Sequence, residues 1–460
     1  MSATKTTSAC LAVLSALLTS VPAQIGKAPV AVTGKDLLAP WSLDETVLYS
    51  GATVHTVSGE VLSPGFLLAK GAKILSVSKS APAAKADRTV DLKGLHLLPG
   101  IILPTSSLGL TEISAVRATQ DTTETGAFTP DVRAWLSVNP DSELIPVTRA
   151  NGITHALVLP LGGTVSGQSG VISLAGWTTE EMTVKAPVAL HVFWPAMNLN
   201  VTPKELARST KAKSPDDQSK ERSRRIKELD DFFAEAHAYA SARGVTPRDA
   251  KPATKVPAWE AMLPFVRDGL PLIVHADDVR QIKAALAWAG QRKYKIAIAG
   301  GRDAWRVADE LAAKMVAVIF ESTFDQPARD TDAYDAHFKG AATLHKAGVK
   351  VLFSEGPGAS NATFARNTPY SAAQAVAFGL PGAEALKGLT LYPAQVLGLD
   401  GRLGSLEAGK EATFFASDGN ILDLRSNVRR MWIAGREVPL DSRHTRLHEK
   451  YKNRPAPAAK

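Results

Sequence analysis

The sequence predicts an α/β protein built on a parallel, barrel-type sheet, with a block of short β-strands toward each end of the chain. Three observations carry this reading. Between residues 153 and 353, short apolar runs alternate with stretches of helical periodicity. Residues 97–109, L-L-P-G-I-I-L-P-T-S-S-L-G, release an apolar run from a Pro99-Gly100 turn and break it at Pro104 into hydroxyl residues. A buried parallel strand ends that way where it reaches a functional rim. Third, residues 46–90 and 404–438 both read as strand, turn, strand, and neither block can close a core by itself.

In chain order, Lys5, the apolar run from Ala9 to Leu18 and Val21-Pro22-Ala23 form the pattern of a secretory signal over residues 1–23. The expectation is an exported protein, periplasmic or extracellular. Cys10, the single cysteine, falls inside that segment, so a mature chain would be cysteine-free, which suits an oxidising compartment. Residues 24–95 contain Val47-Leu48-Tyr49, Ala52-Thr53-Val54, Phe66-Leu67-Leu68 and Ile74-Leu75-Ser76-Val77, short strands bounded by glycine or proline. Residues 96–395 are assigned to the barrel. Its strands are expected at the 97–109 stretch and at 153–159, 189–193, 272–274, 296–299, 316–320 and 349–353, with the missing eighth between residues 196 and 256. Ile226, Leu229, Phe233, Ala236 and Ala240, like Val279, Ile282, Leu286 and Ala289, recur at helical spacing. Residues 396–440 hold the second strand block and 441–460 a charged tail.

The 460 residues suffice for a barrel of roughly 250 residues and a second module. The net charge of +8 is scattered, and its densest segment, 211–225, interleaves Asp216, Asp217 and Glu221 with lysines and arginines. That reads as a solvated loop entering a helix, not as a nucleic-acid interface. No later apolar run approaches the roughly 20 residues of a membrane span.

The 97–109 phrase resembles the strand that opens the barrel of the amidohydrolase superfamily, where L-P-G-F-I-D-x-H-x-H supplies two metal-binding histidines. Near the other end, G-S-L-E-A-G-K-E-A-T is similar to that superfamily's G-S-L-E-x-G-K-x-A-D, with Thr413 in place of the aspartate. Residues 107–176, through S-L-G-L-T-E-I, N-P-D-S, R-A-N-G-I-T and P-L-G-G-T-V-S-G, resemble the imidazolonepropionase-like members, in particular a divergent exported set with altered metal residues. The resemblance covers nearly all of residues 46–435. It implies a (β/α)8 TIM-type barrel with a composite β-sandwich formed from both chain ends. It also implies hydrolysis of C–N bonds other than linear peptide bonds, in cyclic amides, imides or dipeptide-like substrates, through a metal that lowers the pKa of bound water to about 7.

Several of the superfamily's ligand positions are changed. Thr105 and Ser107 replace the first-strand histidines. Side chains two apart on a strand share a face, but hydroxyls do not replace imidazoles on zinc. His275 matches the fifth-strand histidine, with Asp277 two residues on. Gly300 and Gly301 stand where the sixth strand would offer a histidine, and Glu355 replaces the eighth-strand aspartate. For the fourth strand, Lys185 and His191 are near in sequence without sitting in a matching phrase. The resemblance therefore assigns catalysis and metal binding to His275 and Glu355, and ligand contact to Thr105, Ser107, Asp277, Gly162 and Gly163. Each also has a plainer reading: a hydrogen-bonded strand-end histidine, an arginine-paired or solvated carboxylate, a turn of permissive backbone over 162–170. His444 and His448 have metal-pair spacing but lack the glutamate of H-E-x-x-H, and read as a surface helix.

The functional expectation is an amidohydrolase with a degraded metal site, holding one zinc or other divalent ion or none, and acting on a small molecule. The alternative is a non-catalytic exported paralogue that binds a ligand, forms an oligomer or associates with an active amidohydrolase. A carbohydrate-processing barrel using Glu321 and Glu355 is a third reading. Nucleic acid and a membrane span are not expected.

Overall fold

Two eight-stranded sheets organise the described residues. The computed structural model describes residues 44–199, 201, 213–244, 255–321 and 323–455, all within the compact unit Val32–Lys460. The leader-like segment 1–23 lies outside the described residues.

The first sheet begins with β1 (Thr46–His55), β2 (Val61–Lys70), β3 (Lys73–Ser78), β4 (Arg88–Asp91) and β5 (His96–Pro99). In β1 the buried residues Val47, Tyr49, Ala52 and Val54 follow a period of two that slips once at Gly51. Gly51 takes φ +80°, and the pairing with β2 shifts register there, so the glycine lets the strand bulge and keep its apolar face inward.

The second sheet is the barrel: β6 (Ile101–Ser106), β7 (Ile153–Val158), β8 (Val165–Ser173), β9 (Thr183–Phe193), β10 (Leu272–Ala276), β11 (Ile296–Gly300), β12 (Ala317–Phe320) and β13 (Val351–Phe353). They neighbour one another in chain order. Seven run parallel, and β8 is antiparallel to both β7 and β9.

The eighth strand is therefore not where the sequence places it. Among the described residues of the 196–256 window, the chain forms the helix Pro215–Gly244, and the strand is β8, inside the glycine-rich segment read as a loop. Glycine is poor in strands, which hid it. The reason is steric: a Cβ on Gly170 would meet the Trp135 side chain at 3.0 Å, and one on Gly167 would meet Val132 at 2.8 Å. The strand is fully buried beneath the segment that carries those two residues.

Alternation sorts the barrel side chains into two sets. Ile102, Leu157, Val171, Ala189, Ile273, Ala299, Ile319 and Leu352, one from each strand, form one buried cluster. The residues beside them, such as Leu103, Ala156, Leu190, Val274, Ile298, Val318 and Phe353, join the larger cluster containing the helices. Helix Pro215–Gly244 contributes Leu229, Phe233 and Ala236, and helix Val279–Arg292 contributes Ile282, Leu286 and Ala289. The latter starts at a capping box in which the Asp278 side chain accepts from Arg280 N and Gln281 reaches back.

β6 and β13 sit side by side without a backbone ladder, so the barrel is nearly closed. Hydroxyls bridge the seam: Ser354 Oγ donates to the Thr105 carbonyl at 2.8 Å, and Ser107 Oγ to the Gly358 carbonyl at 3.1 Å.

The chain then returns to the first sheet through β14 (Phe414–Ser417), β15 (Val428–Ile433) and β16 (Arg436–Val438), giving the order β16-β15-β14-β5-β1-β2-β3 with β4 on β1. Phe414 pairs with Pro99 and Ala416 with Leu97. Tyr49, Phe414 and Trp432 meet with ring centroids 4.9 to 5.2 Å apart, locking β1, β14 and β15 together. Each such aromatic pair adds about 0.5–1.5 kcal/mol beyond its buried area. The charged tail forms an exposed helix, Arg443–Lys452, tied to the barrel by Arg446–Glu143 at 2.7 Å. Among the described residues no helix is long and apolar enough to cross a membrane.

Candidate active site at the barrel mouth

Each parallel strand that leaves the packed layer continues toward the mouth in steps of two. From Ile273 the steps reach His275 and Asp277. Ala189 leads in the same way to His191 and Phe193, Ile319 to Glu321, and Leu352 to Ser354. The strand ends thereby gather Thr105, Glu321 and Ser354 into direct contact, with Asp277 and Glu355 acting electrostatically on Glu321.

The two histidines bond to each other. His191 Nδ1 and His275 Nε2 are 3.0 Å apart, and the Phe193 ring stacks on His275 at 4.0 Å with 5° between planes. Burial pushes His275 down to about 3 and His191 well below the usual histidine range, and proximity to His275 lowers His191 further. At neutral pH this is an uncharged pair with one nitrogen of each ring committed to the other. His191 Nε2 is buried without a hydrogen-bond partner.

The carboxylates behave oppositely. Glu321 is raised to about 8, chiefly by burial, against a downward pull from the contact with the Thr105 hydroxyl, with Asp277 and Glu355 each adding a smaller upward push. Asp277 keeps an exposed edge, yet loss of water around its carboxyl raises it, with Arg302 opposing and Asp325 and Asp303 adding. Glu355 is raised by burial, while the Ser371 hydroxyl donates to its Oε1 at 2.6 Å and pulls the other way. Crowded acids of this kind titrate together, and a carboxyl raised to about 8, as Glu321 is, favours its protonated form at neutral pH.

Gly300, at the end of β11, makes room for this cluster. A Cβ there would collide with Asp277 Oδ1, and the residue sits at φ +88°. The Asp277 carboxylate thus occupies the space a sixth-strand side chain would need. The residues present do not fit the divalent metal that the superfamily resemblance implies. Thr105 and Ser107 offer hydroxyls already bonded to Ser354 and to the Gly358 carbonyl, position 300 has no side chain, and His275 is bonded to His191. Among the described residues no group of three or more His, Cys, Asp or Glu is placed to hold a metal ion.

Gly162 and Gly163 lie in the turn between β7 and β8. Gly162 sits against Thr123, and a Cβ on Gly163 would meet the carbonyls of Gly126 and Ala127 at 2.8 Å. The neighbouring amides of Leu161, Thr164 and Val165 donate to the Thr122 and Ala127 carbonyls at 2.6 to 3.0 Å. The turn holds the 122–129 segment.

Sequence reasoning placed Glu321 only in a third reading and left His191 unassigned. The signal for both was present: each lies two residues beyond an inward-facing apolar residue of its strand. Ser354 carried no signal, because its role depends on Thr105 across the seam.

Residues 159–438, more than half of the chain, match the Amidohydrolase family. The chain belongs to the amidohydrolase family. This amidohydrolase is 23% identical over 401 residues to amidohydrolase tasK of Hapsidospora irregularis, a match covering 81% of the chain and 39% of that relative. The chain thus spans well under half the length of that curated relative. Among solved structures it is similar to an amidohydrolase from Thermotoga maritima MSB8, with a TM-score of 0.73 and 25% identity over 85% of this chain and 99% of the other. It shares its fold with a prolidase complexed with N-methylphosphonate-L-proline, at a TM-score of 0.53 and 15% identity, covering 86% of this chain and 99% of that one.

Proposed function

We propose that this amidohydrolase hydrolyses a C–N bond of a small molecule bound at the barrel mouth, with carboxylates as its acid and base. Membership of the family supports hydrolysis, and the 107–176 phrases support placing the substrate among cyclic amides, imides or dipeptide-like compounds. The observation that carries the mechanism is Glu321, buried at the end of β12 under the influence of Asp277 and Glu355 and protonated at neutral pH. An amide nitrogen leaves readily only when it is protonated as the bond breaks, and Glu321 supplies that proton. Asp277, the most open of the three carboxylates, takes the proton of the attacking water. No step passes through a metal, since the donor set does not suit one. The leader-like pattern in residues 1–23 supports placing the reaction in the periplasm or outside the cell.

The test is release of amine or ammonia from a panel of cyclic amides, imides, N-acyl amino acids and dipeptides by the purified chain. Turnover at neutral pH that falls by about 10²–10⁴ in Glu321→Gln is expected. No turnover above the buffer blank across the panel would overturn the proposal.

The second reading, a non-catalytic paralogue that binds a ligand or an active partner, draws on the His191–His275 bond, which commits the one histidine retained from the superfamily pattern to a neighbouring ring. Saturable binding of a panel compound without its conversion would favour it.

A further inference from the structure

We propose that Glu321 rests as a neutral acid donating into a relay of two hydroxyls, Thr105 and Ser354, and that Ser354 is the positioning residue that fixes the relay's direction. This inference rests on the acid–base reading of the barrel mouth.

It follows from counting protons. The Thr105 hydroxyl has one proton and two close oxygen neighbours, Glu321 Oε1 and, at 2.8 Å, Ser354 Oγ. The Ser354 hydroxyl lies 2.8 Å from the Thr105 carbonyl and 3.0 Å from the Gly356 amide. A carbonyl only accepts and an amide N–H only donates, so the proton of Ser354 goes to the Thr105 carbonyl. The contact between the two hydroxyls must then use the proton of Thr105. That leaves a lone pair of Thr105 Oγ1 facing Glu321, and the proton between them comes from the carboxyl group.

In this arrangement every group is satisfied. Glu321 gives one proton, Thr105 gives one and accepts one, and Ser354 gives one and accepts two. An ionised Glu321 would leave one of the oxygen contacts without a proton. The charged groups acting on Glu321 from neighbouring strand ends, Asp277 after β10 and Glu355 after β13, are both acidic and favour the neutral form. When Glu321 passes its proton to the leaving nitrogen, the Thr105 hydroxyl turns from Ser354 to the new carboxylate. The return of a proton from solvent resets the relay.

Infrared spectroscopy of the full chain tests this without any substrate. The C=O stretch of the protonated Glu321 carboxyl is assigned by its loss in Glu321→Gln and followed from pH 5 to pH 10. In the parent chain the band is expected to persist through neutrality. Ser354→Ala frees the Thr105 proton to stabilise the carboxylate, so the midpoint should fall by at least one pH unit. Thr105→Val removes that donor, so its midpoint should not fall, and Ser354→Thr, which keeps the hydroxyl, should retain the parent midpoint. Absence of the band at pH 7 in the parent, or equal downward movement in Ser354→Ala and Thr105→Val, would overturn the relay. Turnover plays no part in the readout, so failure of the hydrolase proposal and failure of the relay are separate results.

Discussion

Replacing Glu321 with glutamine should flatten the pH dependence of folding stability over a defined window. The carboxyl moves from an ordinary value of 4.5 to about 8 in the folded chain. Between those limits the native state holds a proton that the unfolded state releases, so stability declines as pH rises through the window and levels off above it. Each pH unit is worth about 1.4 kcal/mol, which sets a ceiling of about 5 kcal/mol for the whole window. Sharing of charge with Asp277 and Glu355 reduces that figure. A glutamine amide keeps the shape of the neutral acid and can donate to Thr105 Oγ1, so the variant escapes the decline at small structural cost. Urea denaturation at pH 5, 6, 7 and 8 measures the effect. The variant's stability relative to the parent should increase by several kcal/mol from pH 5 to pH 8, and parallel profiles would refute the assignment of a proton to Glu321.

Three further outcomes are expected. Gly300→Ala should destabilise the chain by at least the roughly 1–2 kcal/mol that a left-handed backbone costs a residue with a Cβ, because that Cβ also displaces Asp277; denaturant midpoints check it. For His191 and His275, the folded values lie below the usual 6.5, so the stability they support is present above that pH and is lost as pH falls from 6.5 toward 3. Melting temperatures between pH 7 and pH 4 should therefore fall less steeply in the double replacement His191→Leu with His275→Leu. Dialysis against a chelator should leave the melting temperature unchanged; an ion present at 100 times its dissociation constant would contribute about 2.7 kcal/mol, and a fall reversed by added zinc would contradict the donor-set argument.

The architecture was legible wherever one residue pattern decides one element. The apolar strand 101–103 after Pro99-Gly100 and the paired phrases near both ends forecast a barrel and a composite β-sandwich; the structure has a nearly closed barrel sheet and a second sheet containing strands from each end. β8 was illegible because its glycines answer to Trp135 and Val132, contacts that sequence periodicity does not record. At the mouth, His275 and Glu355 could be named from the strand pattern, but their environment could not. The pairing of His275 with His191 joins strands whose residues are about 84 positions apart, and the Thr105–Ser354 contact spans about 249. A hydroxyl in place of an imidazole looks like a loss when read along the chain. In three dimensions the same hydroxyl bridges the first and last barrel strands.

The pairing of β14 with β5 sets the order in which this protein can be finished. Tyr49 waits for Phe414 and Trp432, and the edge of β5 waits for a strand synthesised about 300 residues later. Until then a nascent chain presents an uncovered aromatic ring and a row of unpaired backbone groups, features on which chaperones act and aggregates grow. A chain stopped before Phe414 would lack the piece that conceals its own beginning, so damage at one terminus would be felt first at the other.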